Sequence, residues 1–158
     1  MGSEFLTSPF DNLLKPVDDH LIVHNELMSS LILGNKIQIH TSEHGIPDLD
    51  TTKIVIIGIP ENRNSIDYLG DELNLNEIRK SLYNLYPGNW STEIADLGNL
   101  ILGENVEQTY GRIISMLSIL FEKNIIPIII GGSHDLLYAN YRAYDSFKST
   151  VNIVNIDS

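Results

Sequence analysis

Two rhythms of apolar residues alternate along this chain. One is the near-continuous β-branched run. The other recurs every three to four residues. Lys53-Ile-Val-Ile-Ile-Gly-Ile-Pro60 is the first strong run and predicts a central strand, ended by Gly58 and Pro60. Ile125-Ile-Pro-Ile-Ile-Ile130 is the second, and it too predicts a strand buried on both faces. Glu93–Leu97 predicts a short strand, and Val151–Asp157 predicts a last one. Between them lie helical recurrences. The clearest covers Val106–Lys123, with Val106, Tyr110, Ile113, Ile114, Leu117, Leu120 and Phe121 on one face. Asn105 stands at its N-cap with Gln108 three residues on, the pattern of a capping box, and Asn124 stops it.

Three further helices are weaker. Asp18–Leu33 carries a loose recurrence with Asp18 or Asp19 as cap, stopped by Gly34-Asn35. A helix capped by Asn74 or Asn76 has Ile78, Leu82 and Leu85 as its apolar positions, with Tyr83 and Tyr86 beside them, and breaks at Pro87-Gly88-Asn89. Leu136–Phe147 places Leu137, Tyr141 and Tyr144 on one face. Residues 6–17, with Pro9 and Pro16, read as an irregular arm, and Lys36–His40 as a short edge strand. Trp90 reads as core or loop packing. Strand-helix-strand in this order implies right-handed βαβ units and a mainly parallel sheet, an α/β fold with helices on both faces. The division is a cloning remnant and arm over 1–17, an amino-terminal helix and edge segment over 18–50, and the α/β domain over 51–158.

Composition removes several classes of function. The 158 residues include 42% hydrophobic and 20% charged residues, as in ordinary globular proteins. No run approaches the ~20 apolar residues of a membrane span, and no secretory pattern opens the chain. The net charge of -11 repels nucleic acid and anionic membrane surfaces, while a small cationic substrate or a metal ion is compatible with it. No cysteine is present, which excludes disulfides and thiolate chemistry and fits a cytoplasmic protein.

Candidate chemistry gathers after the second run. Gly131-Gly132 lets the chain leave the strand sharply, and Ser133, His134 and Asp135 follow at once. In open α/β sheets ligands bind beyond the carboxyl ends of the strands. His134 and Asp157 are each expected at such an end, and imidazole with carboxylate is a transition-metal donor set. The plain alternative has Ser133 capping the next helix, and Asp135 reads as a first-turn carboxylate in preference to a partner that supports a ligand. His20 and His24, four apart, lack a third ligand and read as surface residues, and His40 and His44 read as ordinary polar side chains. The polar loop Glu61–Gly70 follows a strand's carboxyl end, where loops carry function. Gly131-Gly132 is no dinucleotide fingerprint, and no phosphate-binding Gly-Lys-Ser/Thr occurs.

Ile129-Ile-Gly-Gly-Ser-His134, then a helix, then Val154-Asn-Ile-Asp-Ser158 resembles the arginase, agmatinase and formiminoglutamase (ureohydrolase) family. Gly58-Ile59-Pro60 is similar to the end of that family's first strand, and Asn76-Glu77-Ile78-Arg79 to the entry into its first sheet helix. The similarity covers roughly residues 50 to 158. It implies the amino-terminal half of an arginase-like domain and a hydrolase of linear C–N bonds in a guanidino or formimino substrate, working with two manganese ions. His134 resembles the histidine ligand after the family's third strand, and Asp157 the first aspartate of its fourth-strand motif. No catalytic residue beyond these ligands is assigned. Ser133 stands where arginases have Asp, which favours the formiminoglutamase branch; Ser158 stands where Ala is usual.

Two of the family's six metal ligands map onto the chain, so the resemblance implies a truncated domain without turnover as it stands. The competing expectation is a degenerate arginase-like domain acting as an interaction or regulatory module. In the family, later strands lie between the third and the fourth. Their absence predicts that the Ile125 strand pairs directly with the Val151 strand, that it pairs with another chain as a homo-oligomer or strand-edge self-association, or that the Val151 segment is displaced.

Overall fold

A computed structural model describes residues 9–10, 12–66, 70, 73–147, 150–154 and 156. In chain order the elements are β1 (Leu14–Lys15), α1 (Asp19–Glu26), β2 (Gln38–Ile39), β3 (Ile54–Gly58), α2 (Asn76–Tyr83), β4 (Ile94–Leu100), α3 (Val106–Glu122), β5 (Ile126–Ile130) and α4 (Leu136–Ala143). Short 3-10 turns occupy Leu33–Asn35 and Tyr144–Phe147.

Strand order in the sheet is β1-β4-β3-β5, with β2 also pairing β4. β2, β3, β4 and β5 run parallel, and β1 alone is antiparallel. Alternation along the strands sorts side chains onto two faces. Val55, Ile57, Ala95 and Leu97 face α3 and α4, where Ile113, Met116, Leu117, Leu120, Leu136, Ala139 and Ala143 complete the main core. On the other face Val17, Leu21 and Tyr83 form a smaller cluster with Ile37 and Ile39 around them. The expected three-layer α/β architecture is therefore present.

The smaller face is organised by charge. Asp96, at the centre of β4, is fully buried, and so is Arg79 of α2. Arg79 donates through Nε to Asp96 Oδ2 at 2.9 Å and through Nη2 to Oδ1 at 3.1 Å. It also donates to the Gly98 carbonyl at 2.7 Å and to Asn99 Oδ1. Tyr83 OH donates to Asp96 Oδ2 at 2.7 Å, and the Gly98 amide to Oδ1 at 2.8 Å. Burial, then the Asp96 charge and hydrogen bond, push the Tyr83 phenol far above its usual value. A register shift between Ile56 and Gly58 places a bulge in β4 here. Gly98 has φ +81°, and a β-carbon on it would lie 2.0 Å from the Lys15 carbonyl oxygen of β1, so glycine is required.

Several expectations are corrected. The arm over 6–17 contains β1, which is too short to show a period. The helix expected over 18–33 ends at Glu26, with Asp18 Oδ1 accepting from the His20 amide at 2.9 Å. α2 is turned from its predicted face: Arg79 and Tyr83 are buried, while Ile78 and Leu85 are exposed. α4 buries Leu136, Ala139 and Ala143 and exposes Leu137 and Tyr141, because small residues give the closest fit to α3. β4 runs past Leu97 to Leu100. β5 is not a doubly buried strand. It ends the sheet, and Ile126 is 62% exposed. Residues 151–154 form no strand, with Asn152, Ile153 and Val154 exposed, so the direct pairing expected between the Ile125 and Val151 strands is not seen among the described residues. Of the two readings for Trp90, core and loop, the loop holds: it lies before β4 and is 75% exposed. His40 is buried, its Nδ1 paired with the Leu97 carbonyl at 2.9 Å. α3 matches its prediction, with Asn105 Oδ1 accepting from the Gln108 amide at 2.9 Å and Asn124 at φ +56°. Gln108 reaches back to the Glu104 amide instead of the Asn105 amide.

The Asp96→Ala variant leaves a guanidinium and a phenol buried without their acceptor. It is expected to lose about 3–5 kcal/mol of unfolding free energy in urea titrations. Ile78→Ala, on the exposed side of the same helix, is expected to lose less than ~1 kcal/mol.

Candidate functional site at the carboxyl rim of the sheet

The parallel strands β3 and β5 end side by side. Their last residues, Gly58 and Ile130, are in register, and the Ile59 amide donates to the Ile130 carbonyl at 3.0 Å. Gly131 and Gly132 both take φ +88°. A β-carbon on Gly131 would fall 2.4 Å from Leu75 Cδ2, and one on Gly132 would fall 3.1 Å from the Glu61 carbonyl oxygen. The double glycine thus folds the chain tightly over the exit of β3. The Ser133 amide then donates to the Glu61 carbonyl at 2.9 Å, and the Ser133 hydroxyl to the same oxygen at 3.4 Å. Ser133 caps the next turn with its backbone carbonyl, which accepts from the Leu136 amide, and not with its hydroxyl.

His134 is delivered to this rim with its side chain exposed and without a hydrogen-bond partner among the described residues. Asp135 sits at the N-cap of α4, yet its carboxylate makes no capping bond there. Oδ2 instead accepts from Asn64 Nδ2 at 3.0 Å and from the Tyr110 hydroxyl. Asn64 Nδ2 also donates to Tyr110 OH at 3.3 Å. This triangle joins the loop after β3, the first turns of α3 and the start of α4. Oδ1 of Asp135 is buried with no hydrogen-bond partner among the described residues. Burial raises the Asp135 carboxyl, but the polar side chains around it, Ser133, Tyr110 and Asn64, outweigh it and hold the group below its ordinary value. Tyr110 is pushed up to about 12, by burial first and then by its bond to Asp135.

A second cluster anchors the same loop. Glu61 is fully buried, and Arg63 Nε reaches its two oxygens at 2.9 and 3.2 Å. The Arg63 amide donates to Glu61 Oε1 at 3.0 Å. Arg63 also donates to the carbonyls of Glu104 at 2.9 Å and Gly103 at 3.1 Å, and to Thr109 Oγ1 at 3.1 Å. It therefore ties the β3 loop to the segment after β4. Burial raises the Glu61 carboxyl, but the side-chain and backbone bonds from Arg63, with Thr109, hold it below its ordinary value of 4.5.

Of the residues expected to bind metal, His134 stands at the rim and Asp157 lies outside the described residues. Among the described residues no group of three or more His, Cys, Asp or Glu side chains is placed to hold a metal ion. The described residues therefore do not by themselves fit a dinuclear centre. His20 and His44 are exposed, and His24 is half-buried in α1. Sequence reasoning missed Glu61, Arg63, Asn64 and Tyr110 as a working set. Their position in or against a polar loop at a strand's carboxyl end was the available signal.

The family model described as the arginase family matches residues 52–158. The formimidoylglutamase of Halalkalibacterium halodurans is 26% identical over 113 residues, 65% of this chain and 35% of that protein. The solved formimidoylglutamase of Bacillus subtilis superposes with a TM-score of 0.60 at 17% identity, over 95% of this chain and 43% of the other. The Trypanosoma cruzi formiminoglutamase solved with Mn2+ gives a TM-score of 0.59 at 22% identity, over 80% of this chain and 45% of the other. At these identities the superpositions establish the fold. The chain spans less than half the length of each of these relatives.

The Glu61 carboxyl is lowered on folding, so its contribution to stability is present above pH 4.5 and is lost as pH falls through the folded value. Glu61→Gln is expected to lower stability near neutral pH and to flatten the acid limb of unfolding midpoints measured across pH ~2–7. An acid limb as steep in the variant as in the parent would remove this role for Glu61.

Proposed function

Because the chain belongs to the arginase family, we propose that its carboxyl rim is one side of a metal-dependent hydrolase site acting on linear C–N bonds. The observation that carries this reading is His134, an imidazole without a partner among the described residues, held at the rim by the Gly131-Gly132 turn beside the β3 loop. The relative from Halalkalibacterium halodurans and the superposed structures are all formiminoglutamases, so the substrate class we assign is formimino, with a guanidino compound as its near relative. The ions we assign are manganese, the metal with which the Trypanosoma cruzi formiminoglutamase was solved.

His134 and Asp157 are the ligands this chain contributes. No reaction step is derived through metal, since the described residues do not complete its cage. What the chain's own residues do at the rim is positional. Ser133 fastens the turn onto Glu61, and Asn64 and Tyr110 fix the residue after His134. Arg63 fixes the floor of the loop. The negative net charge favours a neutral or cationic substrate over an anionic one.

Two measurements test the assignment. Mn2+ titration of the 158-residue chain by calorimetry is expected to show weak binding that His134→Ala and Asp157→Asn each abolish and that His44→Ala leaves unchanged. Equal binding in parent and His134→Ala would overturn the metal role. With two ligands, the same chain is expected to release no formamide, ammonia or urea from formimino-glutamate, agmatine or arginine. Robust manganese-dependent release would refute the two-ligand account.

A further inference from the structure

At the opposite, amino-terminal end of the sheet lies a cleft of about 330 Å3, remote from the rim and independent of the hydrolase reading. Leu31, Ile37, Tyr86 and Trp90 supply its apolar walls, and Lys36 and Glu93 supply its charges. Its volume is at the lower end of the ~300–1,000 Å3 usual for small-molecule sites, which suits a ligand much smaller than a nucleotide.

The fold brings both charges to one cleft. Gln38 of β2 and Ala95 of β4 are in register on parallel neighbouring strands. Lys36 closes the 3-10 turn that leads into β2, and Glu93 immediately precedes β4, so the entries of two adjacent strands each supply one charge to the cleft. Neither forms an ion pair among the described residues, although both line one cleft. The aromatic side is open as well: Tyr86 is 64% and Trp90 75% exposed. The turn that carries them is specific. Gly88 has φ +71°, and a β-carbon there would lie 3.8 Å from Trp90 Nε1.

We propose that this cleft binds a free α-amino acid with an apolar side chain. Its carboxylate would meet Lys36, its ammonium Glu93, and its side chain the Tyr86 and Trp90 surface. A simple anion would be opposed by Glu93 and by the net charge of -11, and a simple cation by Lys36. A small zwitterion satisfies both charges at once, because its two groups are separated by one carbon. Charge-assisted hydrogen bonds at both ends supply discrimination that an apolar groove alone lacks.

Trp90 is the single tryptophan of the chain, so its emission reports on this cleft alone. L-phenylalanine, titrated into the 158-residue chain, is expected to give a saturable change in Trp90 fluorescence. Phenethylamine, which lacks the carboxylate, and 3-phenylpropionate, which lacks the ammonium, are each expected to bind about tenfold more weakly, the effect of losing one charged hydrogen bond. L-alanine is expected to bind more weakly for lack of apolar area. Lys36→Gln should bring L-phenylalanine down to the level of phenethylamine, and Glu93→Gln to that of 3-phenylpropionate. Both positions are exposed, and circular dichroism checks that the variants fold. No saturable change up to the solubility limit overturns the proposal. So does equal affinity for all three phenyl compounds, unaltered binding in both variants, or calorimetric binding that leaves Trp90 silent.

Discussion

The buried contact between Arg79 and Asp96 is the constraint on which the rest of the structure turns. A carboxylate at the centre of β4 is tolerable only if every oxygen is satisfied, and Arg79, Tyr83 and the Gly98 amide satisfy them together. This fixes which side of α2 faces the sheet, against the pull of its own apolar residues. It also explains the bulge. The Asp96 carboxylate receives the amide two residues on, so the chain turns at Gly98, and the Gly98 carbonyl swings towards Arg79. β1 closes over that bend, its Lys15 carbonyl lying where any side chain on Gly98 would sit.

The same network reaches the rim through Leu75. A β-carbon on Gly58 would meet Asn99 Oδ1, Leu75 and Arg79, so the end of β3 is packed directly against the buried pair. Leu75 precedes α2 and also lies against Gly131. The turn that delivers His134 therefore rests on a residue whose place is set by α2, and α2 is set by Arg79. Two polar clusters then finish the rim from above. Arg63 links the loop after β3 to the segment after β4, and Tyr110 and Asn64 link it to α4 through Asp135. Loop residues are held there by hydrogen bonds that are half-buried from Arg63 to Gly103 and Thr109 and exposed at Asn64, which gives a loop some of the rigidity of the strands beside it.

What the sequence made legible follows from how each element is stabilised. β3, β5 and α3 owe their places to apolar area, and apolar periodicity announced them. α2 and α4 were recognised as helices but turned to the wrong face. A pattern reading puts arginine outside and treats alanine as neutral, yet Arg79, Ala139 and Ala143 are buried. The Val151–Ile156 segment has the composition of a strand, but a strand needs a neighbour, and Ile153, Val154 and Ile156 remain exposed. At the rim, the glycines and His134 could be read locally. Partners from 40 to 71 residues away in sequence complete the Arg63 and Asn64 contacts, and no local pattern carries that information.

Charge unites the two ends of the molecule. The chain has 10 basic residues against 21 acidic ones, and two of those arginines, Arg63 and Arg79, are turned inward onto Glu61 and Asp96. Each inward pair is neutral, so the excess of -11 is carried by the remaining residues and falls largely on the surface. An approaching anion is therefore repelled over most of the molecule. Any recognition of a carboxylate needs a local cation that is not already engaged. At the rim Arg63 is engaged with Glu61 and three neighbours, which leaves that end suited to neutral or positively charged groups. At the amino-terminal cleft Lys36 forms no ion pair among the described residues, but Glu93 lines the same cleft, so a carboxylate gains most there when it arrives with an ammonium attached.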